Sequence, residues 1–278
     1  GKAQFTKGSD VLIDEQSDFT KIDLKQAANL HVHWGTQTAG EDDVRLDAQP
    51  GNPNAGVFAI AEVIDAHRLR ISPAAYADGS ASYSIGRRSY GKMTVSNCDY
   101  FILDCKTHRR MHDPKNPAKP GLTLLGIEQK AWLLDEMRNS KSDFFFVVSA
   151  VNFMIPHMGG GGHEITAGKD EAWTSMLAER EELIDAFDAL NKPVFVLTAD
   201  LHNSFAIRIT DRVWEFASGP LNSVNHVPAN DEAGRPATGL FKSGPRVCDI
   251  RWSSYILPDL DRLQRLYPYY CVAQINNV

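Results

Sequence analysis

The stretch VFVLTADLH at residues 194–202 decides the fold, because it joins an apolar run to two side chains with ligand chemistry. Residues 193–197 have the length and composition of a strand that is covered on both faces. The run leads directly into Asp200 and His202. In open α/β sheets, ligands bind at the carboxyl ends of the strands, so this segment predicts both a buried strand and a candidate site at its end.

A second apolar run predicts a neighbouring buried strand at residues 144–151, followed directly by Asn152. Residues 126–140 and 170–190 repeat apolar side chains at helical spacing. This strand-helix order predicts an α/β sandwich whose sheet is at least partly parallel. Further strands are predicted at residues 92–95, 99–104, 207, 213–216, 247–252 and 271–275, the last of which should tie the C-terminus into the sheet.

The first ninety residues follow a different pattern of short strands separated by turn residues. Strands are predicted at residues 11–13, 30–34, 57–64, 68–71 and 83–85, with residues 57–71 forming a hairpin. We therefore predict two parts: a β-rich accessory module or insertion at residues 1–88, and an α/β domain at residues 89–278.

Composition excludes several classes of protein. The chain has 278 residues, 43% of them hydrophobic and 23% charged, which is typical of a globular protein. A net charge of −6 provides no basic surface for wrapping nucleic acid, and no apolar run reaches the ~18–20 residues of a membrane span. The four cysteines permit two disulfides without requiring any, and they match no C-x-x-C zinc pattern.

Asp-x-His at a strand end is a good half-site for a metal ion. A carboxylate is a hard oxygen ligand and imidazole a borderline one, and the i, i+2 spacing lets both side chains converge. From these letters alone, a surface turn with a capping Asp200 is the alternative. His31 and His33 also share one face of a predicted strand, either as metal ligands or as ordinary solvent-facing residues.

Several segments in the same order resemble the PhoD-like (alkaline phosphatase D) family of calcineurin-like metallophosphoesterases. Residues 194–206 resemble its hydrophobic strand followed by T-G-D-x-H-S, with Ala199 in place of the glycine. The family's "LDtRsyR" and "lLG-x-x-Q-x-x-WL" stretches resemble residues 89–109 and 124–133. Residues 144–153 are similar to the strand that follows, and residues 218–220 to the later "sG-P".

This resemblance implies a metallophosphoesterase-type layered sandwich, present in part, that hydrolyses phosphate monoesters or diesters. It implies two divalent or trivalent cations (calcium, iron, manganese or zinc) with Asp200 and His202 each binding one of them. Two bridged cations activate water and stabilise displacement at phosphorus. The resemblance also favours a secreted, periplasmic or cell-surface location.

Three further sets of residues are candidates for roles around the phosphate. Asn152 could orient a ligand or the substrate, or simply end its strand. Arg109 could steady the phosphate with its planar guanidinium, or pair structurally with Asp104. His157 and His163 flank a glycine-rich loop and are either close to substrate or exposed loop residues.

The first metal ligands of the family come from an N-terminal half whose motifs this sequence does not show. Asp42, Asp43 or His33 could contribute a ligand. We expect the chain to correspond to the C-terminal part of the enzyme, with an N-terminal fragment of the same protein as a partner beside the phosphate ester. The alternative is a non-catalytic binding or structural protein on the same fold. A serine hydrolase is disfavoured because no G-x-S-x-G elbow is present.

Overall fold

A computed structural model describes residues 1–24, 27–33, 52–110, 113, 115–157, 172–228, 234–257 and 259–276. They form two compact units. The barrel unit comprises Gly1–Ser89 with Lys106–Arg109, and the sheet unit comprises Tyr90–Cys105 with Arg110–Val278. The domain assignment to residues 1–88 and 89–278 stays a prediction.

The barrel unit is a closed sheet of six antiparallel strands in the order β1-β2-β5-β4-β3-β6, with β6 paired to β1. A 3-10 helix, Phe19–Lys21, follows β2. This closed sheet confirms the predicted β-rich character, including the hairpin of β4 and β5. The strands are β1 (Lys2–Phe5), β2 (Val11–Ile13), β3 (Ala27–Val32), β4 (Gly56–Val63), β5 (Arg68–Ser72) and β6 (Gly79–Arg87).

Alternation of side chains along these strands builds the barrel core. In β5, for example, Leu69 and Ile71 are buried while Arg68 and Ser72 are exposed. Leu69 and Ile71 belong to one apolar cluster that also contains Phe58. Period-2 alternation is what a sheet with one buried face requires.

The sheet unit contains a mixed sheet of eight strands in the order β13-β14-β11-β12-β10-β9-β8-β7. Strands β8, β9, β10 and β12 are parallel to one another, which confirms the predicted parallel portion. The elements are β7 (Gly91–Val95), β8 (Cys98–Ile102), α1 (Gly126–Asn139), β9 (Phe144–Val148), α2 (Leu177–Ala189), β10 (Val194–Thr198), β11 (Phe205–Arg208), β12 (Val213–Ala217), β13 (Gly239–Ser243) and β14 (Arg246–Ser253).

Both α-helices contribute their apolar stripes to the core on one face of this sheet. Leu133 of α1 and Phe187 of α2 belong to the same buried cluster as Phe101, Phe145 and Val194 of three neighbouring strands. The helices are crossovers between parallel strands, as the strand-helix order predicts. Neither of them, nor any other helix in the described ranges, has the length and apolarity that crossing a membrane requires.

The opposite face of the sheet carries a row of aromatic side chains. Tyr100 stacks on Phe146 at 4.7 Å between ring centroids, and the row continues through Phe195 and Phe216 to Trp214. Towards its two ends this face leaves large apolar side chains exposed, among them Met93, Val95, Val247 and Trp252. The described residues therefore form a β-rich structure with a few helices, and only part of the predicted α/β sandwich is present among them.

The long helix predicted at residues 170–190 is shorter than expected. A 3-10 helix, Trp173–Ser175, precedes α2, and Met176 between them has φ −129° and ψ 53°. These angles lie outside the helical region, so the two segments cannot form one helix. Asp170, the predicted first residue, lies outside the described ranges.

The strand predicted at residues 271–275 is wrong, because no strand is present there. The segment lies beside β11, β12 and β14, where Cys271 and Val272 help to line a cavity of about 240 Å³. Each of those strands is already paired on both sides, so the tail has no free sheet edge to join. All four cysteines lie in the described ranges, and none of them forms a disulfide.

Adjacent residues of β8 give a test of the two faces. Phe101 is fully buried among Phe145 and Trp132, whereas Ile102 on the opposite face is 44% exposed. Replacing Phe101 with Ala should lower the free energy of unfolding by about 3–5 kcal/mol, since it leaves a cavity. Ile102→Ala should cost about 1 kcal/mol. Urea unfolding measures both, and equal losses would contradict this assignment of faces.

Candidate active site

The candidate site lies at the carboxyl ends of the parallel strands. Strands β8, β9, β10 and β12 run in one direction, so the loops that follow them meet at one edge of the sheet. The loop after β9 carries Asn152 and His157, and the loop after β10 carries Asp200 and His202. Of the four residues predicted for the site, three therefore lie at this edge: Asn152, Asp200 and His202.

Asp200 has a backbone conformation that favours glycine, with φ at +74°. Aspartate tolerates the left-handed region better than most residues, but the conformation still carries strain, and such strain clusters at functional sites. The side chain is 40% exposed, and its Oδ2 lies 3.7 Å from Nδ1 of His157. The carboxylate is therefore partly accessible to solvent.

His202 has its ring orientation set by one backbone carbonyl. Its Nδ1 lies 2.7 Å from the oxygen of Val224. A carbonyl can only accept, so Nδ1 carries the proton and Nε2 carries the lone pair. This is the arrangement in which metal-binding histidines are usually found, with one nitrogen donating to a carbonyl and the other binding the metal.

His226 is a site residue that the sequence did not predict. Its ring stacks on His202 at 4.2 Å between centroids, and its backbone N–H donates to the His202 carbonyl at 2.8 Å. The ring of His157 is 6.3 Å from that of His226. No motif joins residues 202 and 226, so only the folded chain shows that these imidazoles are neighbours.

Asn152 is fully buried at the end of the strand next to β10. Its backbone carbonyl accepts from the N–H of Trp173, but neither atom of its side-chain amide has a hydrogen-bond partner among the described residues. Leaving both atoms unsatisfied costs about 1–3 kcal/mol for each group, so buried amides are almost always paired. The Asn152 amide thus has a donor and an acceptor that the described residues do not use.

Glu215 holds the two loops together from inside the sheet. The carboxylate, on β12, accepts from the N–H groups of Phe153 and Met154 at 2.6 and 2.8 Å and from the hydroxyl of Thr198 at 2.8 Å. Burial raises the pKa of this carboxyl group, against the hydrogen bonds and the charge of Arg180 that lower it. One side chain therefore connects the ends of β9, β10 and β12.

Gly219 allows the exit of β12 to approach the loop after β10. A Cβ atom at this position would lie 2.8 Å from the carbonyl carbon of Asn203, and the Gly219 N–H donates to the Ser204 hydroxyl at 2.6 Å. Real Cβ atoms do not approach backbone that closely. The glycine of residues 218–220, one of the segments behind the family resemblance, thus has a packing role beside the site.

The other predicted residues belong to the barrel unit or lie outside the described ranges. Arg109 belongs to the barrel unit, and its contact with phosphate stays a prediction. In the same unit, His33 Nε2 lies 3.2 Å from the Ser84 hydroxyl, and the His31 and His33 rings are 5.3 Å apart. Asp42, Asp43, His163 and the glycine-rich loop at residues 159–162 lie outside the described residues.

The donors at the strand ends are of types that bind metal ions. Asp200 offers carboxylate oxygens and His202 offers Nε2, both suited to zinc, iron or manganese. Within the described ranges, no three His, Cys, Asp or Glu side chains converge as a group that could hold a metal ion. This is the chemistry of a half-site that needs further ligands.

Comparison with known proteins identifies the family of the chain. The profile of the PhoD-like phosphatases matches residues 77–248, which is more than half of the chain. The chain belongs to the PhoD-like phosphatase family. Membership confirms the resemblance seen in the motifs, and it names neither a substrate nor catalytic residues.

A solved structure described as "Structure of PhoD" is also similar to the chain. The similarity covers 59% of this chain and 34% of that chain, with 20% sequence identity and a TM-score of 0.43. The chain thus spans about a third of the length of that PhoD protein. A search of curated proteins found no match.

Glu215 gives a prediction about stability. In Glu215→Gln, one acceptor oxygen becomes an NH₂ group that faces backbone donors, which should lower the free energy of unfolding by about 1–3 kcal/mol. Thr210→Ala is the control. Thr210 lies near the opposite edge of the sheet, and the substitution removes a half-buried hydroxyl that donates to Asp188. It therefore measures the cost of losing a polar contact without disturbing the loops of the site.

The pKa direction of Glu215 adds a pH dependence. Since the folded-state pKa is raised, the stabilisation from this group is fully present below the unfolded pKa of about 4.3 and is lost as pH rises through the folded value. The difference in free energy of unfolding between the parent and Glu215→Gln should therefore become smaller as the pH rises. Urea unfolding across that range measures it, and a widening gap would contradict the assignment.

Proposed function

We propose that the chain forms part of the active site of a metal-dependent phosphoesterase that hydrolyses phosphate monoesters or diesters. The observation that supports this most directly is the hydrogen bond that the His202 ring makes through Nδ1. Its Nδ1 proton is committed to the Val224 carbonyl, which leaves the Nε2 lone pair in the loop that also carries the exposed carboxylate of Asp200. Family membership supplies the reaction class.

Each site residue has a role in this proposal. Asp200 and His202 would hold metal ions, and Asp200 has the strained left-handed backbone that clusters at functional sites. A bound cation supplies positive charge that polarises a phosphoryl group and lowers the pKa of water. Asn152 would orient a phosphate oxygen or a ligand through its unsatisfied amide, without adding charge.

We propose that Arg109 steadies the phosphate of the substrate with its guanidinium group. A guanidinium offers two parallel N–H donors that match phosphate geometry, and it remains charged at every physiological pH. Charge-assisted hydrogen bonds of this kind add specificity as well as affinity.

A complete centre needs more ligands than these residues supply. Two cations each require several donors, whereas one carboxylate and one imidazole provide only two first ligands. We propose that the remainder comes from an N-terminal segment of the same PhoD-like protein, acting as the partner of this chain. A secreted, periplasmic or cell-surface location is proposed on the family resemblance.

The second candidate function is a non-catalytic binding or structural protein built on the same fold. The observation that favours it is the lack of a convergent group of three metal-ligating side chains in the described part of the chain. The two candidates differ in one measurable property: only the first requires cation binding that depends on His202.

His202→Ala tests the proposal. With Mn²⁺, Zn²⁺, Ca²⁺ or Fe³⁺ added, hydrolysis of p-nitrophenyl phosphate or its bis ester should fall by more than the roughly 10–100-fold that losing an outer partner of a metal ligand typically costs. His67→Ala is the control, because His67 is an exposed histidine in the turn between β4 and β5. Circular dichroism should show the fold intact in both variants.

Cation binding separates the outcomes when the chain alone hydrolyses neither ester. Titration with Zn²⁺ in a calorimeter should show binding that His202→Ala weakens and His67→Ala does not. An unchanged rate or affinity in His202→Ala would refute the site assignment. Absence of both hydrolysis and binding in the parent would favour the structural candidate.

A further inference from the structure

Within the described residues, one short segment contacts both the ring and the backbone carbonyl of His202. The Val224 oxygen lies 2.7 Å from Nδ1, and the Ser223 hydroxyl lies 3.4 Å from the same atom. His226 stacks on the ring at 4.2 Å and donates its N–H to the His202 carbonyl at 2.8 Å. The orientation of His202 therefore depends on where residues 223–226 lie.

Asn225, in the middle of this segment, faces away from solvent and is fully buried. Its backbone N–H donates to the Arg265 carbonyl at 2.8 Å. Its side-chain Nδ2 donates to the carbonyls of Arg265 and Tyr267, both at 2.9 Å. Three hydrogen bonds thus join the segment that holds His202 to residues about forty positions later.

The C-terminal segment that receives these bonds is attached by polar contacts. The 3-10 helix Arg262–Arg265 begins with a capping box between Asp261 and Gln264. Further along, the Tyr269 N–H donates to the Pro220 carbonyl at 3.3 Å, and the Tyr269 carbonyl accepts from the Ser218 hydroxyl at 3.3 Å.

Apolar burial contributes less to this attachment. Leu263 is 80% exposed, Tyr270 is 83% exposed and Val272 is 78% exposed. A segment with few buried apolar contacts has low local stability, so its effect on the site must be transmitted through the polar bonds, those of Asn225 foremost.

We propose that Asn225 is a positioning residue and that residues 261–269 act as a clamp that fixes the orientation and tautomer of His202. The proposal rests on the proposed function, in which His202 binds a metal ion. The clamp holds Val224 in place, Val224 keeps the proton on Nδ1, and Nε2 is left as the ligand. Partners of this kind determine ligand geometry, and their loss typically lowers metal affinity about 10–100-fold.

Asn225→Asp tests the clamp with almost no change in volume. The amide donor becomes a carboxylate oxygen that faces two carbonyls, so the two side-chain bonds to Arg265 and Tyr267 are lost. We expect His202 to change from a single Nδ1–H tautomer to a mixture, and Zn²⁺ affinity to fall about 10–100-fold. Asn139→Asp, at the exposed end of α1, makes the same chemical change outside the site and should alter neither quantity.

Tautomers are read from long-range ¹H–¹⁵N spectra of the metal-free 278-residue chain, with the His202 signals assigned by their absence in His202→Ala. A second variant ends the chain after Leu257 and removes the acceptor carbonyls while leaving Asn225 in place. The truncated chain should show the same tautomer mixture as Asn225→Asp. It therefore still tests the clamp if Asn225→Asp does not fold.

The two readouts separate the possible failures. A single Nδ1–H tautomer retained in a folded Asn225→Asp or in the truncated chain would overturn the clamp, whatever the metal does. Loss of the tautomer preference with Zn²⁺ affinity unchanged would overturn the link between clamp and metal site. Zn²⁺ binding that His202→Ala leaves intact would instead refute the proposed function, while the tautomer result would still decide the clamp.

Discussion

The structure of the candidate site depends on one buried carboxylate. Glu215 lies inside the sheet unit and takes hydrogen bonds from Phe153 and Met154 after β9 and from Thr198 at the end of β10. Burial of a carboxylate is unfavourable, and the hydrogen bonds from these donors and the charge of Arg180 offset part of that cost. The loops that carry Asn152 and Asp200 therefore have fixed starting points.

The outer part of the site is built differently. His202 lies in a loop without regular structure, and its ring is oriented by a carbonyl and a second imidazole from residues 224 and 226. These contacts lie closer to solvent than Glu215. Asn225 stabilises them through its hydrogen bonds to the carbonyls of Arg265 and Tyr267. A rigid interior and a more loosely attached outer layer suit a site that must keep its ligands ordered while remaining open to substrate.

Sequence patterns predicted the buried strands well, because an unbroken apolar run such as residues 193–197 has few ways to be buried other than as a central strand. They failed where the outcome depended on neighbours. Met176 interrupts a helical pattern through its backbone angles, which periodicity does not reveal. Residues 271–275 have strand-like composition, but the strands beside them have no free edge. Barrel closure likewise requires β1 to pair with β6, some eighty residues later.

The sequence by itself determined the family, the parallel strands and the placement of Asp200, His202 and Asn152 at strand ends, because these follow from local apolar runs and short motifs. Only the tertiary structure decided which nitrogen of His202 donates to a carbonyl, that the His226 ring stacks on it, and that Asn225 joins this region to Tyr267. The physical reason is that hydrogen bonds and ring contacts between residues 20–40 positions apart leave no periodic trace in a chain.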